Sequence, residues 1–258
     1  MTYQFFKYQG TGNDFIMLDA RNRSTELTSR QISRLCERRF GIGADGIIMI
    51  TEKPGYDFEM IYYNADGSQS MCGNGGRCSV KFAHHLGIHK SEYHFLAIDG
   101  EHKAVMADRG WVNLKMKDVH GITKHYNDSV LNTGSPHYVK PVADIKNYDV
   151  VRVGKLIRYS EEYGKEGINV NFVEDDDRSI FVRTYERGVE NETLSCGTGV
   201  TAAALVNAHN DNGFNRVEIE TLGGHLAVEF DKTGEEDFEN IWLCGPAEFV
   251  FKGEVDIA

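Results

Sequence analysis

Two short stretches of this 258-residue chain decide its predicted fold, Cys72-Gly-Asn-Gly-Gly-Arg77 and Cys196-Gly-Thr-Gly-Val-Thr201. Each opens with a cysteine and glycines, and each leads into residues typical of a helix. The two helices are predicted over about residues 75–86 and 199–209, with Gly87 ending the first. Because the cysteines stand about half the chain apart in matching surroundings, we interpret the pair as an internal duplication.

A cysteine ahead of a helix lies at the positive end of the helix dipole, beside backbone N–H groups that the helix leaves unused. This position favours the thiolate and lowers the pKa of the thiol. The glycines leave the same N–H groups open to a substrate carboxylate. One such cysteine alone is more simply a small buried residue, but two with the same surroundings indicate a pair of proton carriers. The other cysteines, Cys36, Cys78 and Cys244, are predicted to be dispensable for chemistry.

Short runs of β-branched and aromatic residues fill the rest of the chain and predict strands. Their alternation of polar and apolar residues favours mixed or antiparallel sheets, and therefore an α/β (α+β) fold. One more helix is predicted from Thr28, because Gln31 three residues later completes a capping box. The predicted strands are residues 4–8, 15–18, 47–50, 58–63, 93–98, 111–116, 130–131, 137–139, 168–173, 180–185, 217–220, 226–230 and 248–251.

The net charge of −11 disfavours nucleic acid and anionic membrane surfaces as partners. The N-terminus has no apolar leader, and no stretch approaches the roughly 18 apolar residues of a membrane span, so we expect a cytoplasmic protein. The charge is uneven: residues 1–116 carry 14 basic and 13 acidic residues, whereas residues 117–258 carry 14 and 26. This shift indicates a domain boundary near Lys117.

Two other kinds of site have partial signals. Cys72, Cys78, His84 and His85 are all acceptable zinc ligands. Their spacing lacks a C-x-x-C or H-x-x-x-H pair, and adjacent histidines leave a helix about 100° apart, so a metal site is not expected. Residues 41–46 fit the dinucleotide pattern G-x-G-x-x-G, but a helix precedes them and a strand follows, which is the reverse of the required order.

Several segments place amide, hydroxyl or charged groups at predicted strand ends. Turn chemistry explains some of them, since Asn and Asp are common in turns. Arg187 could grip a carboxylate with two hydrogen bonds and Glu186 could assist proton transfer at a cysteine, although a salt bridge at a strand end explains both equally well. The segments are residues 10–15, 64–68, 134–138, 169–171 and 185–188.

Five motifs of the chain resemble those of the diaminopimelate epimerase family, within the cofactor-independent epimerases and racemases that use two cysteines. They stand in the family's order and near its spacing, and the similarity extends from residue 5 to about residue 251. The motifs are Gly-Thr-Gly-Asn-Asp-Phe (10–15), Asn-Ala-Asp-Gly-Ser (64–68), Met-Cys-Gly-Asn-Gly-Gly-Arg-Cys (71–78), Tyr-Glu-Arg-Gly (185–188) and Ser-Cys-Gly-Thr-Gly (195–199).

The resemblance implies two pseudo-symmetric lobes with the active site in the cleft between them. Each lobe would be a mixed, mostly antiparallel β-sheet or barrel wrapped around a central helix. The expected domains are 1–116, carrying Cys72, and 117–248, carrying Cys196, with 249–258 returning to the first.

The resemblance also implies an isomerase that converts LL-2,6-diaminopimelate to the meso form, in lysine and peptidoglycan precursor biosynthesis. A thiolate at Cys72 or Cys196 would remove the α-proton while the opposite thiol returns a proton to the other face. No cofactor, metal, nucleic acid or membrane is expected to take part. Because the relatives are commonly dimers, a homodimer is expected.

Further roles follow from the resemblance position by position. His137 and Glu186 match residues that tune the two thiols. Ser135 stands where some members have Asn, and Gly46 where some have Gln, so the contacts to the distal end of the substrate are less secure. The implied substrate-binding residues are Asn13, Asn64, Gly73, Asn74, Ser135, Asn169, Glu186, Arg187, Gly197 and Thr198.

Two alternative functions remain open from the sequence. The same two-thiol chemistry could serve proline, hydroxyproline or another amino acid, although the Tyr-Glu-Arg-Gly motif favours diaminopimelate. A binding protein for a small zwitterion could use the helix starts without catalysis. Such a protein has no need of two proton carriers, so the pair of cysteines argues against it.

Overall fold

The structure, a computed structural model, describes residues 2–21, 26–176 and 178–257, except for the side chain of residue 109. Within these residues the helices are α1 (Ser29–Cys36), α2 (Gly73–His85), α3 (Val150–Arg158) and α4 (Gly197–Val206). The strands are β1 (Thr2–Gly10), β2 (Asn13–Asp19), β3 (Gly46–Thr51), β4 (Phe58–Asn64), β5 (Tyr93–Ala97), β6 (Gly100–Met106), β7 (Trp111–Lys115), β8 (Val119–His120), β9 (Thr123–His125), β10 (Asp128–Asn132), β11 (Pro136–Pro141), β12 (Asn169–Asp175), β13 (Ile180–Glu186), β14 (Asn191–Thr193), β15 (Gly213–Thr221), β16 (Gly224–Lys232), β17 (Asp237–Pro246) and β18 (Glu248–Asp256).

The helices start and stop for identifiable local reasons. The predicted capping box begins α1, with Gln31 N donating to Thr28 Oγ1. Helices α2 and α4 each begin two residues before the predicted start, because the glycines after the cysteine form the first turn. Helix α4 also ends at Val206, three residues short of the predicted end, where the Asn207 N–H bonds back to the helix carbonyls.

Helix α3 was not predicted. Its N-cap is Asp149, whose side chain accepts a hydrogen bond from the backbone N–H of Arg152. Gly154 interrupts its middle and weakens the helical signal in the sequence. The structure gives the reason for this glycine: a Cβ there would lie 2.4 Å from Cβ of Tyr185, so α3 packs directly on β13.

The chain divides into two compact units. The N-terminal unit comprises the residues up to Leu114 together with those from Gly245 onward. The C-terminal unit comprises Lys115–Cys244. The last strand of the chain, β18, therefore belongs with the first, and its register pairs Thr2 with Asp256.

The sheets of the two units have the same pattern. In the N-terminal unit the order is β18-β1-β2-β3-β4-β5-β6-β7, with β2–β3 and β4–β5 parallel and the other neighbours antiparallel. In the C-terminal unit the order is β9-β10-β11-β12-β13-β15-β16-β17-β8, with β11–β12 and β13–β15 parallel and the rest antiparallel. Strand for strand, β1–β7 correspond to β10–β13 and β15–β17.

Each unit encloses one helix. Helix α2 contacts β1, β2, β3, β4 and β6, and α4 contacts β10, β11, β12, β13, β15 and β16. A helix that is apolar all round is typically a buried one, and α4 has this character. Accordingly Val200 and every residue from Ala202 to Leu205 are buried in the core of the C-terminal unit. The α/β (α+β) class predicted from the sequence is confirmed.

The sequence pattern does not predict five of the strands, β6, β8, β9, β14 and β17. Three of them have two or three residues, and β6 carries charged residues at exposed positions, so the alternation that marks a strand is weak there. None of the described helices is long and apolar enough to cross a membrane.

Candidate active site

The predicted site residues form two groups, one in each unit. We call them the N-terminal half-site, which consists of Asn13, Asn64, Cys72, Gly73 and Asn74, and the C-terminal half-site. The latter consists of Ser135, His137, Asn169, Glu186, Arg187, Cys196, Gly197 and Thr198.

Cys72 is the N-cap residue of α2. Its backbone is extended, with φ −134° and ψ 123°, and its carbonyl accepts the first helical hydrogen bond from Gly76. Gly73 is thus the first residue of the helix. The thiol donates to Oδ1 of Asn13 at 3.3 Å, and Nδ2 of Asn74 lies 3.4 Å from the same oxygen. Three predicted residues therefore meet at one amide oxygen.

Asn64 is the last residue of β4. Its Nδ2 donates to Oγ of Ser68 at 3.0 Å and to Oγ of Ser70 at 3.1 Å. These bonds order the turn that leads to Cys72. Asn64 thus fixes the approach to the helix start as well as carrying an amide group.

Cys196 is the N-cap residue of α4 and repeats the arrangement of Cys72. Its φ is −118° and its ψ is 111°, and its carbonyl accepts from the N–H of Val200. Its sulfur lies 3.6 Å from Oγ1 of Thr198, a hydroxyl that can donate as well as accept. Thr133 Oγ1 donates to the carbonyl of Thr198 at 2.8 Å and holds this first turn in place. The Cys196 thiol therefore has a hydroxyl neighbour, in contrast to the amide oxygen at Cys72.

Asn169, Ser135 and Arg187 form one hydrogen-bonded cluster. Nδ2 of Asn169 donates to Oγ of Ser135 at 2.9 Å, and the N–H of Arg187 donates to Oδ1 of Asn169 at 2.9 Å. Nη2 of Arg187 lies 3.3 Å from the Ser135 hydroxyl. The neighbouring Glu186 accepts from Oγ1 of Thr193 at 2.9 Å. The cluster places a guanidinium, an amide and a hydroxyl together at the ends of β12 and β13.

His137 is fully buried on β11. Burial, assisted by the positive charge of Arg187, lowers the pKa of His137 to about 3. Nδ2 of Asn171 donates to its Nδ1 at 3.0 Å, so the ring proton lies on Nε2. Among the described residues this Nε2 has no hydrogen-bond partner. His137 is therefore a neutral donor at physiological pH and cannot act as a base in this state.

Comparison with known proteins identifies the family. The family model described as diaminopimelate epimerase matches residues 5–120 and 129–250. The chain belongs to the diaminopimelate epimerase family. Its relatives include a diaminopimelate epimerase of Flavobacterium psychrophilum, 49% identical over 96% of this chain and 98% of the relative. The protein of that name from Aquifex aeolicus is 37% identical over 98% and 97% of the two chains.

Solved structures support the fold alone. A Bacillus anthracis phenazine biosynthesis protein of the PhzF family superposes with a TM-score of 0.79 over all of both chains, at 15% identity. A hydroxyproline epimerase from Agrobacterium vitis, with bound trans-4-hydroxy-L-proline, gives a TM-score of 0.69 over 98% of this chain and 92% of that one, at 13% identity.

The cysteines outside the two half-sites are buried. Burial raises the pKa of both Cys36 and Cys78 to about 12, so these thiols stay protonated at neutral pH.

The histidines considered above as zinc ligands have other partners. His84 Nδ1 lies 2.9 Å from the Tyr93 hydroxyl, and His85 Nδ1 lies 2.7 Å from the Tyr8 hydroxyl. In the described part of the chain, no group of three or more His, Cys, Asp or Glu residues is arranged to hold a metal ion.

Gly46, where some diaminopimelate epimerases have Gln, has no room for a side chain here. A Cβ at this position would lie 2.4 Å from Cε2 of Tyr62 and 2.4 Å from the carbonyl oxygen of Tyr63. The Tyr62 ring is nearly buried and packs edge-on against Phe15. A larger residue at 46 would therefore require the Tyr62 ring to move.

Two residues that contact the half-sites, Asp45 and Asn171, were not among the predicted site residues, although the singled-out segment 169–171 includes Asn171. Asp45 accepts from Nδ2 of Asn13 at 2.6 Å, and Asn171 orients His137. Asn171 could have been found, because Asn169 and Asn171 lie on one face of a strand by the two-residue period. Asp45 lies in a glycine-rich turn and has no comparable signal.

Proposed function

We propose that this chain epimerises LL-2,6-diaminopimelate to meso-diaminopimelate without a cofactor, using the thiols of Cys72 and Cys196. One observation carries the proposal: the corresponding helices of the two units, α2 and α4, both have cysteine as N-cap residue. A structural role would not need the same thiol at both helix starts. Membership of the diaminopimelate epimerase family supports the choice of substrate.

The chemistry requires the two thiols to act on opposite faces of one α-carbon. A thiolate takes the α-proton and becomes a thiol, while the electron pair of the broken C–H bond passes into the α-carboxylate. The opposite thiol then gives its proton to the other face and becomes a thiolate. The N–H groups at the starts of α2 and α4 would stabilise the charge that develops on the carboxylate.

We assign the remaining site residues by the groups they present. Arg187, Asn169 and Ser135 form a cluster suited to a carboxylate, because the guanidinium and both neighbours can donate. Asn13, Asn64 and Asn74 would supply amides on the side of Cys72. His137 would tune a thiol by donating from Nε2 and by its lack of charge, and Glu186 would act as the second tuning group.

We further propose that the two compact units are the two domains of the enzyme and that it works as a homodimer in the cytoplasm. Strand β18 presents Phe249, Val250 and Phe251 with 44%, 53% and 45% of their surfaces exposed, an apolar stretch suited to a partner subunit. Sedimentation equilibrium of the purified chain measures the state directly, and a monomer at micromolar concentration would contradict the assembly.

The hydroxyproline or proline alternative has support from a shared fold only, at 13% identity. The deciding experiment is incubation with LL-diaminopimelate in D2O without added cofactor. Deuterium at the α-carbon and meso product, followed by NMR and chiral chromatography, are the expected results. If folded, reduced protein exchanges hydroxyproline or proline instead, the proposal is wrong in its substrate. If no amino acid exchanges, it is wrong in its class and a zwitterion-binding role takes its place.

A further inference from the structure

A chain of hydrogen bonds with a fixed direction runs past Cys72. Nη2 of Arg77 donates to Oδ1 of Asn74 at 3.0 Å, Nδ2 of Asn74 lies 3.4 Å from Oδ1 of Asn13, and Nδ2 of Asn13 donates to Oδ2 of Asp45 at 2.6 Å. A guanidinium can only donate and a carboxylate can only accept. The two charged ends therefore determine how both amides are turned.

The orientation of the Asn13 amide decides which of its atoms faces Cys72. In the structure the Asn13 oxygen accepts a hydrogen bond from the Cys72 thiol at 3.3 Å. An amide oxygen in this place favours S–H and opposes the thiolate, whereas the amide nitrogen would have the opposite effect. Rotation of the Asn13 amide by half a turn would exchange the two. The shortest bond that prevents this rotation is the one to Asp45.

We infer that Asp45 is a positioning residue: by accepting from the Asn13 nitrogen it keeps the Asn13 oxygen against Cys72 and so favours the protonated thiol. This inference rests on the proposed function, because a poised pair of proton carriers needs one thiol ready to donate. Asp45 acts through Asn13. It is well placed for the task, because its own backbone is tied to β2 by the bond from Asp45 N to the carbonyl of Asp14 at 2.9 Å.

Other charged groups surround this chain of bonds. Nζ of Lys7 lies 2.7 Å from the Asp14 carboxylate, and Nη2 of Arg38 lies 2.7 Å from Asp14 and 2.9 Å from Asp45. The Cys78 thiol of α2 interacts electrostatically with Cys72, and it also faces Arg77 and Glu248. Removal of the Asp45 charge alone would also ease ionisation of Cys72, so the test must separate charge from orientation.

The experiment measures alkylation of Cys72 by iodoacetamide from pH 6 to pH 10, quantified by peptide mass spectrometry, with Cys196 as internal reference. Asp45→Ala removes the acceptor and the charge. Asp45→Asn removes the charge but keeps an oxygen that can accept from Asn13. The side chain is 44% exposed, so both variants should fold. If Ala does not, Asp45→Val, which also offers neither an acceptor nor a charge, replaces it. Asp99→Ala, an exposed change elsewhere in the same unit, is the control.

We expect Asp45→Ala to raise the alkylation rate of Cys72 at pH 7.5 about fivefold, which is the factor that corresponds to the loss of one hydrogen bond. The rates of Asp45→Asn and Asp99→Ala should stay near that of the parent protein. When Asn13→Ala is added both to the parent protein and to Asp45→Ala, the two proteins should be alkylated at Cys72 at the same rate. An unchanged Asp45→Ala profile, an equal shift in Asp45→Asn, or a shift that persists without Asn13 would each overturn the inference. Alkylation needs no turnover, so a failed epimerase assay would contradict the proposed function and leave this result intact.

Discussion

The two units differ most in what lies beneath their enclosed helices. The strand registers show which positions correspond. Phe15 matches His137, because Phe15 pairs with Gly46 and His137 pairs with Asn169. Ile48 and Tyr62 match Asn171 and Thr184, because each of these two pairs is formed across neighbouring strands. The same correspondence holds for the residues that face Gly75 of α2 and Gly199 of α4. A Cβ on Gly75 would meet Ile48, and a Cβ on Gly199 would meet Asn171.

At these matched positions the N-terminal unit has apolar and aromatic residues and the C-terminal unit has polar ones. Phe15, Ile48 and Tyr62 pack by contact, with the Phe15 and Tyr62 rings 5.7 Å apart. In the other unit, Thr184 Oγ1 donates to Asn171 Oδ1 at 3.0 Å and Asn171 donates to His137. The two units therefore share the strand pattern and the helix-start thiol, while the surroundings of the two thiols differ.

The largest expected effect tests whether the two thiols are still equivalent in function. Cys72→Ala and Cys196→Ala should each lower epimerisation at least about a thousandfold, because each removes one of two obligatory proton carriers. Turnover is measured by the appearance of meso product. Cys78→Ala, which removes a buried thiol with a pKa of about 12, is the matched control. A total loss of activity in folded Cys78→Ala would show that the assignment of proton carriers is wrong.

The next effect tests the polar group beneath α4. Asn171→Leu leaves the buried Thr184 hydroxyl and His137 Nδ1 without their partner, which should lower the free energy of unfolding by about 3 kcal/mol. Ile48→Leu at the matching position should cost less than about 1.5 kcal/mol. Urea denaturation measures both. Equal losses would mean that the polar group contributes no more than apolar packing does.

The smallest effect is a dependence on pH that arises in the C-terminal unit. The pKa of His137 is about 3 in the folded chain against about 6.5 when unfolded, so below pH 6.5 only the unfolded chain binds this proton. Stability should therefore fall as the pH is lowered from 6.5 towards 3 and should gain nothing from this group above 6.5.

This contribution is isolated by comparison with His137→Gln, which has no titrating ring. Between pH 7 and pH 5.5 the parent should lose about 1 kcal/mol more than the variant. Urea denaturation at the two pH values measures the difference, and the other histidines contribute equally to both proteins. Parallel losses would contradict the low pKa.

The sequence could predict the features that depend on neighbours in the chain. The fold class, the presence of a helix after each of the two cysteines and the family all follow from local motifs, and family membership is confirmed. The bond between Asn171 and His137 joins residues 34 positions apart, and that between Asn13 and Asp45 joins residues 32 apart. Only the parallel pairing of β11 with β12 and of β2 with β3 brings these partners together, so no local pattern indicates them.

Helix α3 shows a different reason why sequence prediction fails, because here the local sequence pattern is misleading. Gly154 weakens the helical pattern, yet it is the residue that lets α3 lie against Tyr185. The first turns of α2 and α4 are similar, because their glycines suggest a loop and the helix begins there nonetheless. In each case packing outweighs intrinsic propensity.

The pairing of β18 with β1 has a consequence for synthesis on the ribosome. Residues of the C-terminal unit are continuous in the chain, so this unit can complete its hydrogen bonding as soon as it has emerged. Strand β1 must instead wait for β18, since Thr2 pairs with Asp256. The nascent N-terminal segment thus keeps an open strand edge until β18 has been made, and an open edge favours premature association with another strand.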